Sequence, residues 1–137
     1  QKLPNETRQL WRKLYFYGNA IHPLIYSHPD TGLETMVFHC GRPFVRAFLK
    51  GYDKETSSAK EFIDGRELNE ILDQITELMT DSDLMHVQEW EAGDFAIVDN
   101  LACAHYAAPA TQISLEDSGL RILHRTTVAG EYRPCKS

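Results

Sequence analysis

Two arginines and a histidine near the end of the chain are the side chains whose type and spacing could do chemistry. Arg121 and Arg125 lie in Leu120–Val128, a run whose alternating pattern predicts a strand. Side chains alternate across a strand, so Arg121, Leu123 and Arg125 share one face and Ile122, His124 and Thr126 the other. Two guanidiniums on one face repel each other unless anions or carboxylates sit against them. They are either solvated or paired with acids such as Glu89 or Asp94, or they form an anion-binding face, because the planar fork of Arg grips carboxylate, sulfonate or phosphate bidentately. His105 sits in Cys103–Ala107 among small residues. A lone strand histidine is commonly a structural hydrogen-bonding group, but neutral imidazole is also the commonest metal ligand, and small neighbours leave room for an ion. His28-x-Asp30 has a His-x-carboxylate spacing and with His105 would formally complete the 2-His-1-carboxylate set of a mononuclear iron site. Pro29, Thr31 and Gly32 favour a plain turn there instead, and Asp99-Asn100 also reads as turn chemistry. His22, His39, His86 and His124 have no comparable context, and no feature of the sequence marks Cys103 as a reactive thiol.

The elements that must position these residues follow from periodicity. Asn5 to Tyr17 has Leu10, Leu14 and Tyr17 at helical spacing and predicts a short amphipathic helix stopped by Gly18-Asn19. Ala20–Ser27 and Glu34–His39 read as two strands of a hairpin around the turn His28-Pro29-Asp30-Thr31-Gly32. Phe44, Val45, Phe48 and Leu49 suggest a short helix within the connection Gly41–Ser58. Asp64 to Thr80 is the clearest helix, with Asp64 and Glu67 spaced as a capping box and Leu68, Ile71, Leu72, Ile75, Leu78 and Met79 forming one apolar stripe. Beyond it the period changes to two. Leu84–Trp90, Asp94–Asp99, Cys103–Ala107 and Leu120–Val128 read as strands, with Glu91–Asp94 a tight turn and Ala108–Gly119 a polar loop. The expected fold is mainly β in an α+β frame: a barrel or sandwich with one substantial helix outside it.

Composition narrows the partners. The chain has 137 residues, 42% of them hydrophobic and 25% charged, which suits one globular domain with one core. Its formal charge of −6 argues against nucleic acid as a general partner, since phosphate binding wants a basic face. No apolar run approaches the roughly 18 residues needed to span a bilayer, and no signal-peptide pattern opens the chain. Three scattered cysteines give neither a disulfide scaffold nor a CxxC site, so a reducing, cytoplasmic compartment is expected. The first residue is Gln1, which suggests a processed product or a piece of something longer.

Three stretches in register resemble one family. His22-Pro23-Leu24-Ile25-Tyr26-Ser27-His28-Pro29-Asp30-Thr31-Gly32 is similar to the "HPxxxxHPxTG" segment of the taurine dioxygenase/TfdA family. Gly93-Asp94-Phe95-Ala96-Ile97-Val98-Asp99-Asn100, followed by Ala104-His105-Tyr106-Ala107, resembles its "GDxxxWDN…HYA" segment. Arg121-Ile122-Leu123-His124-Arg125-Thr126-Thr127 resembles its closing "RxxHRxT" strand. The resemblance implies a double-stranded β-helix, or jelly roll, here an incomplete barrel with one or two outer helices spanning residues 1–137. It implies an Fe(II)- and 2-oxoglutarate-dependent dioxygenase in which oxidative decarboxylation of 2-oxoglutarate to succinate and CO₂ drives hydroxylation of a small organic substrate. By the same resemblance His105 is an iron ligand, Arg121 pairs with the far carboxylate of 2-oxoglutarate, and Arg125 holds the anionic end of the substrate. The family's His-x-Asp pair is expected upstream of this chain, so His28 and Asp30 do not inherit a ligand role. Val98 stands where the family usually has Trp, and Tyr26-Ser27 replaces its usual Arg-Thr, which speaks against taurine itself. A fragment of this kind should be inactive alone and expose strand edges. It would need the missing N-terminal half, a partner chain or an intertwined homo-oligomer to complete it. The alternative is a non-catalytic jelly-roll domain that binds an anion or a partner protein.

Overall fold

The computed structural model describes residues 3–36, 44–105, 114, 116 and 124–128. Within them lie two helices and two antiparallel sheets. Helix α1, Asn5–Trp11, is shorter than the sequence suggests. The backbone closes a tighter turn, Lys13 N–H to Leu10 C=O at 2.9 Å, and continues as strand β1, Leu14–Tyr17. Leu14 and Tyr17 keep helical spacing only by accident. The run Leu-Tyr-Phe-Tyr is rich in residues that suit a pleated surface, and two neighbouring strands outweigh one more turn of helix.

Those neighbours are β2, Ile21–Pro23, and β5, Ala47–Lys50. Between them in sequence, β3 (Ile25–Ser27) and β4 (Glu34–Met36) form a separate two-stranded hairpin. With β6, Glu61–Ile63, the larger sheet runs β2-β1-β5-β6, antiparallel throughout. The Phe44–Leu49 segment predicted as helix is therefore a strand over Ala47–Lys50. Its neighbours Phe48 and Leu49 are both buried, because β5 is central and covered on both faces. Two adjacent buried positions imitate a helical stripe. Gly18 allows the chain leaving β1 to pass the Phe44 carbonyl, which any Cβ there would meet.

Helix α2, Gly65–Met79, appears as predicted and lays Leu68, Ile71, Leu72 and Ile75 on the sheet face that carries Leu14, Phe16, Phe48 and Ile63. Asp64 is its N-cap residue in an extended conformation, but its side chain makes no capping hydrogen bond, so the capping box is not formed. Trp11 from α1 and Leu24, Ile25 and Val45 complete this core. Arg8 of α1 and Arg12, the residue that caps its C-terminus, both reach Glu34 at the start of β4 and fasten the helix to the hairpin.

Past α2 the expectation of strands fails for the described residues. Residues 85–90, 94–99, 103–105 and 124–128 carry no strand, and no closed barrel is formed among the described residues; residues 106–107 and 120–123 lie outside them. The Glu91–Asp94 turn is present, with Asp94 N–H donating to Glu91 C=O at 3.2 Å and Gly93 at φ +98. The alternation is also present, but its apolar side chains stand in solvent: Phe95 is 85% and Ile97 87% exposed. A strand is defined by its ladder, and period-two sequence without a partner backbone stays an extended ribbon. The jelly-roll part of the expectation is thus reduced, among the described residues, to an α+β unit of antiparallel sheets and two helices.

Candidate functional site: a histidine–carboxylate latch beside His105

The turn between β3 and β4 begins at His28, whose backbone N–H bonds Leu33 C=O at 2.8 Å while its C=O accepts from Gly32 N–H at 2.9 Å. Gly32 takes φ +67, a conformation that favours glycine. Pro29 and Gly32 thus build the turn that the composition predicted. The chain folds back over the His28 ring, which is only 5% exposed. Its Nδ1 accepts the backbone N–H of Asp30 at 3.2 Å and of Thr31 at 3.3 Å. Two donors on one ring nitrogen require a lone pair there, so the ring proton sits on Nε2. That N–H donates to Asp99 Oδ2 at 2.9 Å.

Asp99 is used on both oxygens. Its Oδ1 accepts Leu101 N–H at 2.8 Å, and its own C=O accepts Ala102 N–H at 3.2 Å and Cys103 N–H at 2.9 Å. The Leu101 amide, and after it His28, hold the Asp99 carboxyl below the usual carboxylate range. The carbonyl of Leu101 is gripped in turn by two hydroxyls, Tyr26 at 2.6 Å and Thr35 at 3.0 Å. Tyr26 and Thr35 are cross-strand partners in the hairpin, so one rung of β3–β4 supplies both donors. Burial first, then the charge of Asp99, pushes the Tyr26 phenol up to about 12. The proton therefore stays on the oxygen and the donation to Leu101 persists throughout the neutral range.

This latch seats Asp99–Cys103 on the hairpin, and His105 follows two residues later. His105 is exposed and has no hydrogen-bond or ion-pair partner among the described residues, and the same is true of Arg125. Arg121 lies outside the described residues. The formal set His28, Asp30 and His105 is not assembled, because both ring nitrogens of His28 are already occupied by the turn and by Asp99. Among the described residues no three His, Cys, Asp or Glu side chains are grouped to hold a metal ion, so these residues do not by themselves make an iron cage. Sequence reasoning placed His28 in a turn, which holds, and missed its pairing with Asp99. The partners are 71 residues apart, and their only shared signal was that both fall within the motif segments.

Fold and latch define a small α+β unit that presents its downstream segment on a hairpin. A family model, the taurine catabolism dioxygenase TauD, TfdA family, matches residues 3–127, which extends the likeness upstream of the three motifs through α1 and β1. The chain belongs to that family. No curated protein and no solved structure matches it.

Proposed function

We propose that the chain is the C-terminal part of an Fe(II)- and 2-oxoglutarate-dependent dioxygenase that hydroxylates a small anionic organic substrate in the cytoplasm. The match of the family model over residues 3–127 carries this reading. In it, His105 supplies one ligand to iron, Arg121 neutralises the far carboxylate of 2-oxoglutarate, and Arg125 takes the anionic end of the substrate. His105 and Arg125 are exposed and have no partner among the described residues, which is compatible with groups that hold ligands. In this reading the remaining iron ligands would come from an N-terminal half of the protein or from another chain, a second copy included, which would also help to complete the barrel. No helix among the described residues is long and apolar enough to cross a membrane.

The test is turnover by the intact parent protein with ferrous iron, ascorbate and 2-oxoglutarate, read as succinate formed. Arg121→Ala should raise the KM for 2-oxoglutarate, and Arg125→Ala the KM for the primary substrate. Absence of succinate, even without a primary substrate, overturns the catalytic reading. The absence of a match to the family's His-x-Asp pair motivates one competitor, a non-catalytic domain that binds an anion or a partner protein. Calorimetry separates the two: metal-independent binding of 2-oxoglutarate that Arg121→Ala abolishes belongs to the second reading.

A further inference from the structure

The larger sheet ends in two edges of different character. β2 forms one and β6 the other, and among the described residues no strand lies beyond either. In an antiparallel ladder every second residue turns its N–H and C=O toward one neighbour, and the residues between turn theirs to the opposite side. Leu24 N–H donates to Leu14 C=O at 3.0 Å and Gly18 N–H to Ala20 C=O at 3.2 Å, so Leu14 and Phe16 of β1 bond toward β2. Tyr15 and Tyr17 then bond toward Leu49 and Ala47 of β5, which leaves Phe48 and Lys50 to face β6. Their partners there are Ile63 and Glu61. Phe62, between these two, therefore turns its N–H and C=O away from the sheet. On β2 the same alternation leaves Ile21 and Pro23 facing outward, and Pro23 has no N–H to give. One edge is blunted and the other is open.

The open edge is complementary to itself. Phe62 is 61% exposed at its centre. Lys60 immediately precedes the strand and Asp64 immediately follows it, and both are exposed. Neither has an ion-pair partner among the described residues, whereas Glu61 is neutralised by Lys50 at 2.6 Å. Asp64 stands at the N-cap of α2, yet its carboxylate makes no capping bond, and its backbone (φ −131, ψ −170) carries the extended edge one residue further. Rotated by half a turn about Phe62, this edge meets its own image. Phenylalanine falls opposite phenylalanine, and the lysine at one end comes beside the aspartate at the other, twice over.

We propose that β6 is an interface with a second copy of this chain, in which two β6 strands pair antiparallel across a two-fold axis at Phe62. Each Phe62 exchanges both backbone hydrogen bonds with its image, and Lys60 pairs with the partner's Asp64, which gives the isologous contact of a closed dimer. A contact made by one short strand is small, so the dimer is a weak one. It uses none of His105, Arg121, Arg125 or the apolar ribbon after α2, and it does not rest on the dioxygenase reading.

Sedimentation velocity on the full chain, over concentrations from about 5 µM to about 500 µM, tests it. The sedimentation coefficient should rise from that of a monomer toward that of a dimer. Hydrogen exchange at the Phe62 amide should slow over the same range, and at the Ile21 amide it should not. Phe62→Lys should weaken association at least about tenfold with an unchanged Tm, because the ring it removes is exposed. Charge reversal tests the two-fold register itself. Lys60→Glu and Asp64→Lys should each self-associate about tenfold less, since like charges then face each other at both ends. An equimolar mixture of the two should dimerise as the parent does, because the mixed pair restores both contacts. A monomer throughout the series, undiminished association of Phe62→Lys, or a mixture no better than its components overturns the proposal.

Discussion

Glu34→Gln isolates the fastening of α1 to the hairpin. Donation from Arg12 first, then from Arg8, lowers the Glu34 carboxyl from 4.5 to about 2. Taken at full value, that drop corresponds to about 3 kcal/mol of folding free energy. Glu34 is 23% exposed and its partners more so, and water and salt screen ion pairs at such a surface. We therefore expect about 1–2 kcal/mol. Glutamine keeps the volume and one acceptor oxygen but leaves two guanidiniums facing each other without a counter-charge. The folded-state pKa is depressed, so the stabilisation is present above about pH 4.5 and is lost as the pH falls toward about 2. Urea unfolding of the two proteins should show a deficit of about 1–2 kcal/mol at neutral pH that shrinks steadily through that window and is smaller in high salt. A deficit that holds constant down to the acid end of the window, or none at neutral pH, would refute the reasoning.

Three further outcomes are expected. Tyr26→Phe, which removes the 2.6 Å donation to Leu101, should cost about 1 kcal/mol in thermal unfolding; ultraviolet titration of the parent should show one tyrosine ionising at about 12 that the variant lacks. His28→Ala empties a buried ring site and frees the Asp99 turn, at a cost of about 2–4 kcal/mol. Hydrogen exchange at Leu101 and Cys103 should then quicken more than in α2, and a uniform change across the chain would count against the latch. Ile75→Ala, at a fully buried position of α2, should cost about 2–5 kcal/mol and Ile75→Val no more than about 1.5, read from urea midpoints at constant slope.

What could be read from the sequence was whatever left a one-dimensional trace. Helix α2 did, because a helix with one wet face writes its period into fifteen residues. The β3–β4 turn did, through Pro29 and Gly32. Strands β1 and β5 did not: central strands buried on both faces lose their alternation, and Phe48-Leu49 then looks like helix. The ribbon after α2 erred the other way. Its alternation was legible, but pairing is a property of two segments, and no partner segment is laid beside it among the described residues. The latch was invisible for a related reason. A buried histidine and a half-exposed aspartate 71 residues apart share no local pattern, and only three-dimensional closure reveals that one orients the other.

The latch and the ribbon bear on each other. Three hydrogen bonds, to Asp99 and to Leu101, tie the downstream segment to the hairpin. On the upstream side of that anchor, Phe95 and Ile97 leave unrealised most of the burial free energy available to them, on the order of 1.5–3 kcal/mol for each side chain. A chain section pinned at one point and apolar along its free length gains by meeting a second backbone, and the pin restricts where that backbone can lie. His105 stands four residues beyond Leu101, so the register that a completing strand adopts along the ribbon also sets what surrounds the imidazole. If a further strand does pair with the ribbon, His28, Tyr26 and Thr35 would fix both its register and the place of the histidine. Weakening those three contacts should blur the position of His105 before it unfolds the core.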